Sequence, residues 1–249
     1  MCNQEVKFKL FLATALEDGA DMIATGHYAR TKDGRLLRAK DDNKDQTYFL
    51  YRVTEDAMKK TLFPLGDYTK PEVRKLAEKF GLVTAKKKES MGICFVGKVG
   101  IKEFLSQYVK TEPGAIKDQH GITVGEHDGA IFYTIGQRQG LGVGGGLPYY
   151  VVGKDMKKNE VYVTTDLADA RLWSNTINLT SLHWITAAPA DGATVQVRTR
   201  HRAPLVAATV RQEKDTVVLE LQDEIRALTP GQSAVLYDGE IVLGGGVIF

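Results

Sequence analysis

The spacing of apolar residues near the start of the chain predicts an amphipathic helix over residues 4–17. Its apolar side chains recur every three or four positions, at Val6, Leu10, Ala13 and Leu16. That interval places them on one face of an α-helix. Asn3 is suited to cap the N-terminal end, and Gly19 is suited to end the helix.

A short apolar run at residues 21–25 follows and predicts a strand that ends just before Gly26. Helix, strand and glycine in this order are typical of a parallel sheet with crossover helices. Ligands of such sheets collect at the carboxyl ends of the strands, where Gly26 would lie. A glycine at this point more often only turns the chain, so the position alone is a weak signal.

A second helix is marked at both ends. Thr69 is a predicted N-cap, Pro71 falls in the first turn, and Glu72 follows the cap by three residues, as in a capping box. Gly81 ends the apolar repeat. We therefore predict a helix from residue 70 to about residue 80.

The pattern changes from about residue 98 to short apolar strands separated by glycines. Residues 148–155 and 159–165 alternate in polarity and predict a hairpin, and the glycine-rich run 135–146 predicts a flexible loop. After residue 172 the chain alternates throughout, with strands predicted at regular spacing. A small barrel or sandwich is expected there.

Together these elements predict an α+β multidomain protein. The expected domains are a partial α/β segment at residues 1–97, a small β-containing central domain at 98–172, and a C-terminal β-barrel at 173–249. An α/β domain that opens on a helix lacks its first strands. We therefore expect residues 1–97 to be the tail of a larger domain.

The amino-acid composition excludes few classes of function. The net charge of the 249 residues is only +2, so only local patches can indicate a partner. No segment approaches the roughly 20 apolar residues of a membrane span, and the N-terminus does not resemble a signal peptide. We expect a cytoplasmic monomer that does not contact membranes.

The two cysteines, Cys2 and Cys94, are too few for a disulfide scaffold or a cysteine-only zinc site. Each could be a buried small hydrophobe. Cys94 follows a lysine run at 86–88, and Cys2 precedes a predicted helix. Both surroundings favour the thiolate, so thiol chemistry is the alternative.

Two polar stretches have distinctive patterns. The loop of Lys44, Asp45 and Gln46 enters an aromatic run, and its composition favours an ordinary surface loop. At residues 197–204, strand alternation would place Arg198, Arg200 and Arg202 on one face and His201 on the other. That face is either a nucleic-acid footprint or an exposed barrel strand.

Seven motifs in order resemble the tRNA-specific 2-thiouridylases, which place sulfur on the wobble uridine of certain tRNAs. They are MCNQEVKF, ATGHYAR, KDQTYFL, FPLGDYTKPEVR, ESMGICFVG, GQRQGLGVGGG and GGGVIF. Each motif is weak by itself, but the ordered set spans the chain and is specific. The resemblance implies that the α/β segment belongs to a PP-loop ATPase-like catalytic domain and that the barrel binds tRNA.

The resemblance also implies roles for single residues. Cys2 matches the catalytic nucleophile, and Cys94 matches the carrier of the transferred persulfide, with a Cys2–Cys94 disulfide as a product of turnover. Gly26 matches an ATP-lining glycine. The tRNA contacts fall on Lys44, Asp45, Gln46, Arg200 and His201, where histidine replaces the family's frequent tyrosine.

The implied reaction is the ATP-dependent transfer of sulfur to C2 of the wobble uridine, with Mg²⁺ beside the ATP phosphates. A sulfur-relay protein or a cysteine desulfurase would donate the persulfide. The family's SGG-x-DSS loop and NPD segment precede Cys2 and do not occur in this sequence, so we expect activity only within a longer enzyme. The alternative is a tRNA-binding fragment without catalysis.

Overall fold

The computed structural model describes residues 2–87, 101–144 and 146–249. Their contacts form two compact units. The first unit comprises Met1–Lys87, Asn175–Glu224 and Pro230–Phe249, and the second comprises Lys88–Ser174 and Ile225–Thr229. The N-terminal segment therefore shares a unit with most of the C-terminal strands. The division into domains at 1–97, 98–172 and 173–249 stays a prediction.

The helices are short. They are a π-helical segment (Cys2–Phe11), α1 (Leu12–Glu17), α2 (Glu55–Lys59), α3 (Lys70–Lys79) and α4 (Ile101–Ser106). Helix α3 confirms the predicted capping box, since the backbone N–H of Thr69 donates to the Glu72 carboxylate at 2.6 Å. No helix among the described residues is long and apolar enough to cross a membrane.

The N-terminal helix differs from its prediction at both its start and its buried face. Asn3 lies inside the π-helical segment rather than at a cap, and its side-chain amide donates to the carbonyl of Phe49 at 3.0 Å. The buried side chains are Phe8 and Leu12. Because a π-helical turn is wider than an α-helical turn, the interval of 3.6 residues does not identify the buried face there.

The N-terminal segment contains four short strands, which form one parallel pair and one antiparallel hairpin. They are β1 (Ile23–Ala24), β2 (Arg30–Lys32), β3 (Arg35–Leu37) and β4 (Thr61–Leu62). Strand β1 pairs in parallel with β4. Gly26 therefore follows the carboxyl end of a parallel strand, as the sequence predicted.

The second unit contains a four-stranded sheet. Its strands are β5 (Gly114–Lys117), β6 (Thr123–His127), β7 (Tyr150–Asp155) and β8 (Glu160–Thr164), in the order β6-β5-β8-β7. The antiparallel β7–β8 pair confirms the predicted hairpin. Ile116, Val151, Val161 and Val163 are fully buried in the core of this unit.

Six strands close a barrel in the C-terminal part of the chain. They are β9 (Trp173–Trp184), β10 (Thr194–Arg198), β11 (Val206–Gln212), β12 (Val217–Arg226), β13 (Ser233–Asp238) and β14 (Ile241–Ile248). The order is β13-β10-β11-β12-β9-β14, and pairing of β13 with β14 completes the ring. A β-carbon at Gly245 would lie 2.1 Å from the Ala234 carbonyl oxygen, so this close pairing requires glycine.

The N-terminal segment packs directly against the barrel. The β2–β3 hairpin extends the barrel sheet, because β3 pairs with the beginning of β14. One core joins Leu36, Leu50 and Met58 of the N-terminal segment to Tyr237 and Val242 of the barrel. This shared core joins the N-terminal segment to strands β13 and β14 of the barrel.

Candidate nucleic-acid interface

The centre of the candidate interface is Asp45, whose side chain is entirely buried. One carboxylate oxygen lies 3.1 Å from Nη1 of Arg198, an ion pair between residues 153 positions apart. The carboxylate also accepts hydrogen bonds from the backbone N–H of Thr47 at 3.1 Å and from its hydroxyl at 2.9 Å. Buried charges need this kind of compensation. The loop at 44–46 is thus fastened to barrel strand β10.

The rest of this loop is fastened to the segment that follows Gly26. The Gln46 side-chain oxygen accepts from the backbone N–H of Tyr28, and the Gln46 N–H donates to the Tyr28 carbonyl, both at 2.9 Å. The Lys44 N–H donates to the carbonyl of Asp41 at 3.0 Å. Gly26 itself is exposed. These bonds place the predicted ATP-lining glycine and the predicted RNA loop on neighbouring segments.

The strand-face prediction for the three arginines was wrong. Strand β10 ends at Arg198, and residues 199–202 form a turn in which Arg202 has φ of +66°. Arg198 points inward to Asp45 and lies 5.6 Å from the ring centre of Tyr237. Alternation fails because the strand does not continue beyond the residue that the buried carboxylate binds. Arg200 and Arg202 are therefore turn residues.

The turn at 199–202 meets the aromatic residues that follow the 44–46 loop. The Tyr48 hydroxyl lies 3.1 Å from the Thr199 carbonyl and 2.8 Å from that of Ser233. Burial, the largest cause, raises the pKa of Tyr48 to about 12, so its hydroxyl remains a donor. The rings of Phe49 and His201 are 4.7 Å apart. The structure thus brings Lys44, Asp45, Gln46, Arg200 and His201 together in the first unit.

Of the two predicted catalytic cysteines, only Cys2 lies among the described residues. Cys2 is a half-buried free thiol at the start of the π-helical segment. Gln4, two residues later, accepts a hydrogen bond from the Arg52 guanidinium at 3.0 Å. Because Asn3 binds Phe49, the helix of Cys2 is held against residues 49–52. Cys94 lies outside the described residues, so its role and its pairing with Cys2 stay predictions.

His27 is a candidate that the sequence reasoning did not select, although it directly follows Gly26. Its ring packs against Phe8 and Phe63, and its Nδ1 lies 2.9 Å from the hydroxyl of Thr25. Burial, with a smaller contribution from Lys7, lowers the pKa of His27 to about 4. The imidazole is therefore neutral at physiological pH and can exchange hydrogen bonds without charge.

We expect the free energy of unfolding to decrease as the pH falls from 7 to 5. The folded-state pKa of His27 lies below its ordinary value of about 6.5, so the unfolded chain gains protons first. Burial also lowers the pKa of His183 and His201, so these two histidines should contribute to the same decrease in stability. Urea unfolding at several pH values should show a shallower decrease for His27→Gln than for the unsubstituted chain. Equal slopes would contradict the assigned shift.

No cluster of three or more His, Cys, Asp and Glu side chains could hold a metal ion within the ranges that the structure describes. The position of Gly26 is compatible with a nucleotide. A β-carbon built there would have only Leu65 within 4 Å, at 3.9 Å. A ligand can therefore approach the backbone closely at the carboxyl end of β1.

Comparisons with known proteins agree with this architecture. Three family models match consecutive parts of the chain. They describe a tRNA methyl transferase HUP domain at residues 1–98, a tRNA methyl transferase PRC-barrel domain at 102–165 and an aminomethyltransferase beta-barrel domain at 174–248. The fold and its matches thus define a tRNA-modification protein with a HUP domain and two further β domains.

Sequence identity to individual proteins establishes the family of this chain. The chain is 48% identical to the tRNA-specific 2-thiouridylase of Oceanobacillus iheyensis, 46% identical to that of Lacticaseibacillus paracasei, and 47% identical to that of Shigella dysenteriae. The matches cover the whole of this chain and 69%, 69% and 71% of these relatives. This chain belongs to the tRNA-specific 2-thiouridylase family.

Proposed function

We propose that this chain takes part in tRNA 2-thiolation, the ATP-dependent transfer of a persulfide sulfur to C2 of the wobble uridine. The name that its relatives share, tRNA-specific 2-thiouridylase, supports the 2-thiolation of tRNA. The observation that carries the proposal is the buried Asp45–Arg198 ion pair, which joins the two segments matching the family's tRNA contacts. Residues far apart in sequence thereby form one surface suited to one RNA.

In this proposal, Lys44 and Arg200 provide positive charge to RNA phosphates, and Gln46 and His201 contribute polar and ring contacts. RNA loops are usually recognised through unstacked bases together with backbone contacts. Only 1% of Asp45 is exposed, so its carboxylate acts through Arg198 by holding the loop in place. Asp45 is thus a positioning residue.

The sulfur chemistry falls to the two cysteines. Gly26 would line the site for ATP. When bound, ATP would supply the adenylyl group that makes the C2 oxygen a leaving group, and Mg²⁺ would neutralise phosphate charge. The terminal persulfide sulfur on Cys94 attacks C2, and the Cys2 thiolate then attacks the Cys94 sulfur. The S–S bond of the adduct breaks, its electrons form the C2 thiocarbonyl, and AMP departs. A Cys2–Cys94 disulfide remains, which a cellular thiol must reduce.

Partners and location follow from this chemistry. The persulfide on Cys94 must come from a sulfur-relay protein or a cysteine desulfurase. Resetting the disulfide requires a reducing compartment, which supports a cytoplasmic location. We propose that the protein is a monomer. Its proposed domains are the catalytic-domain segment at 1–97, the central domain at 98–172 and the tRNA-binding barrel at 173–249.

The proposal is tested by adding ATP, Mg²⁺, a persulfide donor and unmodified tRNA, then analysing tRNA nucleosides by mass spectrometry. Two proteins are compared: this chain, and a chimera that places a segment with the family's SGG-x-DSS loop ahead of it. We expect both to bind tRNA and the chimera to form 2-thiouridine. Binding without any 2-thiouridine from the chimera would favour the non-catalytic alternative, and absence of tRNA binding would refute the proposal.

A further inference from the structure

A half-exposed aromatic ring lies beside His201 in the proposed RNA surface and has no role in the mechanism above. Phe49 is 48% exposed, although the side chains beside it in sequence are largely enclosed. Its ring contacts Tyr48 edge-on at 5.4 Å and His201 at 4.7 Å with a tilt of 41°. The neighbouring rings therefore hold Phe49 in position while part of its surface faces solvent.

The surroundings of Phe49 suit a nucleobase better than an apolar protein side chain. Burial is the largest cause that lowers the pKa of His201, and the nearby charges of Arg202, Arg198 and Lys44 lower it further, while Asp45 acts in the opposite direction. Three basic residues therefore lie near the ring that contacts Phe49. A flat ring with cations at its edge is the arrangement that proteins use for single-stranded RNA, whose bases stack while its phosphates bind the cations.

The position of Phe49 relative to Cys2 indicates which base it would meet. Its carbonyl accepts a hydrogen bond from Asn3, the residue directly after Cys2. Phe49 also lines a cavity of about 280 Å³ together with Gln4, Arg52 and Gly231. Arg52 donates to Gln4 and to the Ser181 carbonyl, and a guanidinium carries five N–H donors in all. Donors thus remain for a ligand in the cavity.

We infer that Phe49 and His201 form a stacking platform for an unpaired anticodon-loop base next to the target uridine. The ligand class is a nucleobase within single-stranded RNA, with Arg52 available to its phosphate or base edge. This inference rests on the proposed function and adds a contact to it. The target uridine itself must reach Cys2, so the platform takes a flanking nucleotide.

The test measures binding of an anticodon stem-loop RNA to the full chain by fluorescence anisotropy. Phe49→Ala should weaken binding about tenfold or more, because stacking of one base on an aromatic ring contributes on that scale. Phe49→Leu should also weaken binding, since leucine keeps apolar volume but lacks a π face. Phe49→Trp should bind like the unsubstituted chain. Phe80→Ala is the matched control, because Phe80 is a 69% exposed ring at the end of α3.

A second readout detects stacking directly. The fluorescent base 2-aminopurine is placed at each position flanking the wobble uridine in turn. One position should be quenched on binding to the unsubstituted chain and to Phe49→Trp, and much less on binding to Phe49→Ala. The stacking platform would be contradicted if the Ala, Leu and Trp variants bound RNA with equal affinity. It would also be contradicted if 2-aminopurine were quenched equally by the unsubstituted chain and by Phe49→Ala. Failure of the unsubstituted chain to bind RNA would instead refute the proposed function.

Discussion

Replacing Asp45 by alanine is expected to lower the free energy of unfolding of the first unit by about 3 to 5 kcal/mol, the usual cost of breaking a buried ion pair from one side. The substitution leaves the Arg198 guanidinium buried without its carboxylate, with only 6% of that side chain exposed. It also removes the acceptor for the N–H and hydroxyl of Thr47. Urea unfolding monitored by tryptophan fluorescence gives the measurement.

Three further variants separate charge from packing. Asp45→Asn keeps an acceptor for Thr47 and should cost less than Asp45→Ala. Combining Asp45→Ala with Arg198→Met should cost less than the sum of the single substitutions, because no charge is then left unpaired. Asp42→Ala is the matched control. Asp42 pairs with Arg38 but is 74% exposed, so its loss should cost at most about 1 kcal/mol. Equal effects of the Asp45 and Asp42 substitutions would contradict the positioning role.

The second large effect concerns the thiols. In the thiolating protein, Cys94→Ser should abolish 2-thiouridine formation, because a serine hydroxyl has no sulfur on which a persulfide can form. Pyrophosphate release and tRNA binding should persist, since neither step uses that sulfur. Cys2→Ser should also abolish the product while leaving Cys94 able to accept a persulfide. Nucleoside mass spectrometry, a pyrophosphate assay and RNA binding distinguish these outcomes.

The same reaction should leave a covalent record. After one turnover without reductant, peptide mass spectrometry should find Cys2 joined to Cys94 by a disulfide. Such a bond requires the two Cα atoms to come within about 7 Å. Thiolation that continues in Cys94→Ser would exclude its persulfide role. A product formed without any oxidation of Cys2 would exclude the resolving step.

Local sequence signals predicted much of the secondary structure. The capping box at Thr69 and Glu72 determines the start of α3 through contacts only three residues apart. The strand before Gly26 and the alternating strands of the barrel also follow from short-range patterns. In each case the residues that determine the helix or strand lie within it or next to it. A window of about ten residues therefore contains the pattern that predicts it.

The arrangement of the interface depends on contacts between residues that are far apart in the sequence. Asp45 occurs in a polar stretch that suits a surface loop, yet Arg198, 153 residues away, makes it one of the most buried side chains. The same contact ends the arginine alternation at β10. Phe49 and His27 were also missed, because a single aromatic or histidine has significance only through its neighbours in the fold. The ordered family motifs predicted which residues contact RNA, and the structure shows how these residues meet.

The most direct test of sulfur transfer follows the sulfur atom itself. The chimera, loaded with a ³⁴S-labelled persulfide and freed of excess donor, is mixed with ATP, Mg²⁺ and unmodified tRNA for a single turnover. Mass spectrometry should then find ³⁴S in 2-thiouridine at the wobble position, at no more than one atom per protein, and none with Cys94→Ser. Unlabelled tRNA despite binding, or equal labelling by the Cys94→Ser protein, would contradict the proposed role of this chain.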